Sequence, residues 1–104
     1  MASFAGLETV AAGERVIWCM SYCGGASHSV TEHHAVLEIY AFLRKALLAI
    51  PEQWPYRGPP LFEDGRLRYR NDIVGDISQF HGVEHIDRAG APLYALRYSG
   101  GVVR

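Results

Sequence analysis

Residues 80–101 read FHGVEHIDRAGAPLYALRYSGG, and residues 4–25 read FAGLETVAAGERVIWCMSYCGG. One constant offset aligns the two stretches without a gap. Phe4, Gly6, Glu8, Tyr22, Gly24 and Gly25 fall on Phe80, Gly82, Glu84, Tyr98, Gly100 and Gly101. Leu7, Val10, Ile17, Trp18 and Met20 fall on Val83, Ile86, Leu93, Tyr94 and Leu96. Chance supplies about one identity in such a window at average residue usage. Two copies do not make a solenoid; they imply duplication about an internal pseudo-two-fold axis.

Each copy reads as a β-hairpin. Residues 4–10 and 16–23 flank the turn AAGER, and residues 80–86 and 92–99 flank DRAGA. Gly13 and Gly90 are free to take positive φ at those turns. Val16, Trp18, Met20 and Tyr22 alternate onto one face, as do Tyr94, Leu96 and Tyr98. Pro92 suits the beginning of a strand.

Between the copies lies a helix, expected near residues 30–50. Ser29 with Glu32 matches a capping box. Val36, Ile39, Tyr40, Leu43, Leu47 and Ile50 recur at helical spacing, with Glu38, Arg44 and Lys45 off that stripe. Pro51 is the expected stop. After a turn-rich connector, RLRYRNDIV reads as a strand, with Leu67, Tyr69 and Ile73 against Arg68, Arg70 and Asp72. The order β-β-α-β-β-β predicts an α+β fold: one domain over 1–104, an antiparallel sheet with one long helix on a face.

Hydrophobic residues at 49% and charged residues at 20% are ordinary for a globular chain. A formal net charge of −1 gives no field to recruit nucleic acid or anionic lipid. The N-terminus lacks a basic segment and an apolar run, and no segment is long enough to span a bilayer. The expectation is a cytoplasmic protein that binds neither membrane nor, by this chain alone, nucleic acid. Cys19 and Cys23 would stand roughly 13 Å apart along a strand, too far for a disulfide, and read as small buried side chains. His33 and His34 diverge on a helix, and His81 and His85 stand apart on a strand. No metal motif, phosphate loop or nucleophile motif is present, so neither metal nor cofactor is expected.

The segment PYRGPPLFEDGRLRYRNDIVGDISQFHGVEHIDRAGAPLYALRYSGG resembles a bacterial family known only as a domain of unknown function. Its members occur alone or behind an Xre-type helix-turn-helix. Pro55-Tyr56-Arg57-Gly58-Pro59, Tyr69, Asn71, Gly75-Asp76, Phe80, Gly82, Glu84, Tyr94, Tyr98 and Gly100-Gly101 carry the match. Phe4, Gly6, Glu8, Trp18, Met20 and Tyr22 match the family's earlier half. The resemblance implies a compact α+β module and supplies no catalytic residues. Family members usually have a further segment before the first F-x-G-x-E, by symmetry a strand. Here Phe4 follows Met1 closely, through native absence or truncation. With that strand absent, the first hairpin is expected to present an unpaired edge.

Glu8 and Glu84 lead the candidate site residues, since each sits in an otherwise apolar strand. A carboxylate among such neighbours is paired or raised in pKa. Cross-strand pairing of Glu84 with Tyr94 and Glu8 with Trp18 would put an aromatic ring beside each; the other register would bring Glu84 towards Arg97. The first register is preferred because it explains both copies. The functional reading is a ligand-binding or sensory module: a cleft near the axis, lined by Trp18, Tyr22, Tyr94 and Tyr98 with one or both glutamates, for an aromatic or cationic small molecule. Against it stands local satisfaction of each carboxylate, the commoner case. Arg57 is a candidate to bind a carboxylate, with Asp76 as one buried partner, while Asn71 and Asp76 suit a turn or bulge. The alternatives are a homodimerisation module through the first-hairpin edge and, weakest, an enzyme using the paired glutamates.

Overall fold

The computed structural model describes residues 3–49 and 57–104. In chain order the elements are β1 (Ser3–Ala12), β2 (Arg15–Ala26), α1 (His33–Leu48), β3 (Leu61–Asp64), β4 (Leu67–Asp76), β5 (Gln79–Arg88) and β6 (Ala91–Val102). The six strands form one antiparallel sheet in the order β1-β2-β6-β5-β4-β3. The fold is therefore α+β, as expected, with one strand more. The connector holds the short strand β3, which pairs with β4 through a turn whose Gly65 has φ 63°.

The repeat sets the sheet's centre. Tyr22 lies directly opposite Tyr98 across the β2–β6 pair. These two are repeat equivalents, so the pseudo-two-fold axis passes between them. Outward from the axis, β1 matches β5. Beyond β5 lie β4 and β3, whereas β1 is an edge of the sheet among the described residues.

The hairpin registers differ from the one preferred from sequence. Glu84 is opposite Leu96 and Glu8 opposite Met20, rather than Tyr94 and Trp18. The turns decide this. Ala12 faces Arg15 around Gly13, and Arg88 faces Ala91 around Ala89 and Gly90, both at positive φ. A register shift then follows, at Val10/Ala11 and at Ile86/Asp87. Tight turns plus one extra residue move each glutamate past the aromatic ring to the next partner on the same face.

Helix α1 starts at His33, three residues later than expected. The capping box does not form: Glu32 is the N-cap without a side-chain bond, and Ser29 Oγ pairs instead with Ser27 Oγ. The helix ends at Leu48, where the Ala49 N–H returns to the Ala46 carbonyl. Ile50 and Pro51, part of the expected stripe and stop, lie outside the described residues. Ile39, Phe42, Leu43 and Ala46 are buried against the sheet, each large side chain contributing about 1.5–3 kcal/mol by leaving water. Phe42 meets Phe62 of β3, and Tyr40 meets both Phe4 and Tyr94. Ion pairs from Lys45 to Asp64 and from Arg88 to Glu38 flank this packing.

The core joins these helix residues to Met20, Tyr69, Phe80, Ile86, Tyr94, Leu96 and Tyr98 on one face of the sheet. Leu67, Tyr69 and Ile73 turn inward while Arg68, Arg70 and Asp72 are exposed, as their alternation predicts. Among the described residues the opposite face carries no helix. Cys23 is exposed there and Cys19 half-buried, which corrects the reading of both as buried; both are free thiols.

Candidate functional site

The F-x-G-x-E motif is explained by what crosses it. Gly6 is the cross-strand partner of Tyr22, and Gly82 that of Tyr98. Each tyrosine ring lies over its glycine so closely that a Cβ there would collide with it. The glycines thus let two tyrosines lie down on either side of the axis. That places their hydroxyl ends towards the strands that carry the glutamates.

On the β5 side this arrangement closes completely. Glu84 is fully buried. Its Oε2 accepts a hydrogen bond from the Tyr69 hydroxyl at 2.5 Å, and its Oε1 one from the Tyr94 hydroxyl at 3.0 Å. Arg57 Nε stands 3.0 Å from Oε2 with its side chain only 7% exposed. This contact is an ion pair rather than an aligned hydrogen bond, since the Nε–H finds no acceptor in line. The guanidinium carbon also sits 4.6 Å from the Tyr22 ring centroid, a cation–π geometry. Beside this group Asn71 is buried. Its amide donates to the Gly58 carbonyl at 2.9 Å, and its oxygen accepts from the Tyr98 hydroxyl at 2.6 Å. Gly58 is required by the same logic as Gly82, because the Tyr69 hydroxyl occupies the space of its missing side chain.

The electrostatics follow from burial and one carboxylate. Burial pushes the Tyr69 and Tyr94 phenols far above their usual range, and the adjacent Glu84 raises them further. Burial opposes the charge on Arg57, but Glu84, with smaller help from the two tyrosines, outweighs it and raises the guanidinium. Two phenols held neutral and a guanidinium held charged thus surround the one carboxylate.

The structure thus brings together five expected residues: Glu84, Arg57, Tyr22, Tyr94 and Tyr98. It leaves out two. Trp18 stacks on Phe80 at 5.8 Å and donates its indole N–H to the Ile77 carbonyl. Glu8 is exposed on β1. The register chain Glu8–Met20–Gly100–Phe80 puts it three strands across and four residues along from Glu84, roughly 20 Å away at standard strand spacings. The two carboxylates therefore share no cleft, and they lie beyond the roughly 5–9.5 Å of a glycosidase pair. Five surface hollows are lined by neither glutamate. Arg57 pairs with Glu84 and not with Asp76. Asp76 instead accepts from the Ser78 N–H at 2.9 Å and its hydroxyl at 2.5 Å, fixing the β4–β5 turn. Asn71, expected in a turn, is in the buried network.

Tyr69 and Asn71 belong to this buried network but were not among the expected site residues. Both lie among the family-like positions, and their parity with the inward-facing Leu67 and Ile73 is the signal that places them. Among the described residues no cluster of histidine, cysteine or carboxylate residues has the makings of a metal site, and no helix is long and apolar enough to cross a membrane.

Residues 1–103 match the family model described as Domain of unknown function (DUF5680), and the chain belongs to that family. No curated protein and no solved structure matches it.

Proposed function

We propose that this member of a family without assigned activity is a protein-interaction module that pairs with a second copy of itself through β1. The carrying observation is the contrast between repeat equivalents. β5 is flanked by β4 along its outer edge, whereas β1 is flanked by nothing among the described residues. Phe80, Gly82, Glu84 and Ile86 are buried, while their equivalents Phe4 and Gly6 are half-buried and Glu8 and Val10 are exposed. The other sheet edge, β3, is four residues long and carries Glu63 and Asp64. β1 is ten residues long, with Glu8 as its one charged residue and no proline, lysine or arginine, and Leu7 is 65% exposed. Long edges without such protection recruit strands. Antiparallel pairing of β1 with its own copy would continue the sheet and complete the backbone hydrogen bonding of both. Sedimentation velocity tests this: a dimer that dissociates in Leu7→Lys, without change in the circular dichroism spectrum, is expected. A monomer at every concentration overturns it.

A second reading rests on Arg57. A guanidinium already fills the recess formed by Tyr22 and Glu84, so the recess suits a cation, and a small cationic ligand would have to replace Arg57. The test is rescue of Arg57→Ala by methylguanidinium. A saturable rise in Tm absent from the wild type supports a cation site, and no rise removes it.

A further inference from the structure

The face of the sheet without the helix holds a hollow of about 370 Å³ beside the pseudo-two-fold axis. Its outward side chains are Ser21, Cys23, His81, Val83, Arg97 and Ser99. Register explains the assembly. Ser21 faces Ser99, which in turn faces His81, in one row; Cys23 faces Arg97, which faces Val83, in the next. Two serines in the middle of a six-stranded sheet leave a depression, and the longer Arg97 and His81 side chains rise at its sides. The volume falls within the range of small-ligand sites.

The chemistry of the lining is one-sided. Two hydroxyls, a guanidinium and an imidazole line it, and among the described residues no carboxylate does. On this face Asp72 is the described acidic residue nearest Arg97 by register, and it stands two strands away across Val83, about 10 Å. Among the described residues Arg97 makes no ion pair, whereas Arg57, Arg68 and Arg88 each do. A planar guanidinium fork flanked by hydroxyl donors matches the oxygens of a carboxylate or phosphate.

We propose that this hollow is a binding site for a small oxyanion, a phosphoryl or carboxylate compound, with Arg97 as the charged anchor and Ser21, Ser99 and His81 as hydrogen-bonding partners. The site uses neither the β1 edge nor the Glu84 network, so a strictly monomeric protein would leave it standing.

The experiment is an amide chemical-shift titration with inorganic phosphate and, separately, acetate, against sodium chloride at matched ionic strength. Saturable shifts at Ser21, Cys23, His81, Arg97 and Ser99 are expected. Saturation by phosphate alone assigns phosphoryl ligands, by acetate alone carboxylates, and by both the shared chemistry. Arg97→Gln should weaken binding at least tenfold, while Arg70→Gln, on the same face outside the hollow, leaves it unchanged. Shifts that chloride reproduces, or equal effects of the two arginine variants, overturn the proposal. Since Arg97 is exposed, its replacement tests the site without testing the fold.

Discussion

Replacing Glu84 by glutamine keeps shape and removes one charge. In the folded protein that charge faces a guanidinium 3.0 Å away whose side chain is 7% exposed. Two unit charges about 4 Å apart attract by about 4 kcal/mol at an effective dielectric of about 20. Removing one partner of a buried pair generally costs about 3–5 kcal/mol, because the other charge stays buried without compensation. A glutamine oxygen can still accept from Tyr69 or Tyr94, so those hydrogen bonds weaken rather than vanish. Against a total stability of about 5–15 kcal/mol for a chain of this size, the expected loss lowers Tm by roughly 12 °C or more. Urea and thermal melts followed by circular dichroism measure it. Glu8→Gln is the internal control: the same substitution at the repeat equivalent, but exposed, is expected to shift stability by less than about 0.5 kcal/mol. The double variant Arg57→Met/Glu84→Gln should recover much of the loss, since no unpaired charge remains. A Glu84→Gln protein within about 1 kcal/mol of wild type, or indistinguishable from Glu8→Gln, is incompatible with a buried ion pair between Arg57 and Glu84.

Other consequences follow from the same geometry. Gly82→Ala drives a Cβ into the Tyr98 ring and should cost about 1–3 kcal/mol; Gly6→Ala should cost less, because Tyr22 is only half-buried and can give way. Tyr69 and Tyr94 are held protonated far above the ordinary phenol range in the folded state. Their stabilising contribution is therefore complete below the unfolded value of about 10 and is lost as pH rises beyond it. Absorbance at the phenolate band should show these two ionising only together with loss of the far-ultraviolet dichroism. The Asp76 carboxyl is held below its usual range by the Ser78 hydroxyl and then the Ser78 N–H; a carbon-detected titration should find Ser78→Ala raising it towards the ordinary value.

Much of this architecture was legible because it depends on periodicity. The repeat gave the two hairpins, the alternation gave their faces, and the stripe from Val36 to Leu47 gave the helix. The register was not legible, since it turned on the placing of the two-residue turns together with one extra residue at Val10/Ala11 and Ile86/Asp87. Short turn motifs do not announce such a bulge. β3 was missed because four residues inside a proline- and glycine-rich connector carry too little pattern. The site was half legible. Sequence put a carboxylate among aromatic residues and asked for a cation; the chain supplies one itself, in Arg57, some distance away along the backbone. Symmetry misled on Glu8: it matches Glu84 in sequence, but among the described residues its share of the sheet has no counterparts of Tyr69 and Arg57, which surround Glu84.

The repeat builds two hairpins; β4 closes the second, and in the proposed dimer a strand of another copy closes the first. Amide hydrogen exchange of residues 3–12 as a function of protein concentration tests this most directly. Protection of the β1 edge amides that rises with concentration, and falls in Leu7→Lys, is the predicted result. Exchange at those amides that is independent of concentration would contradict it.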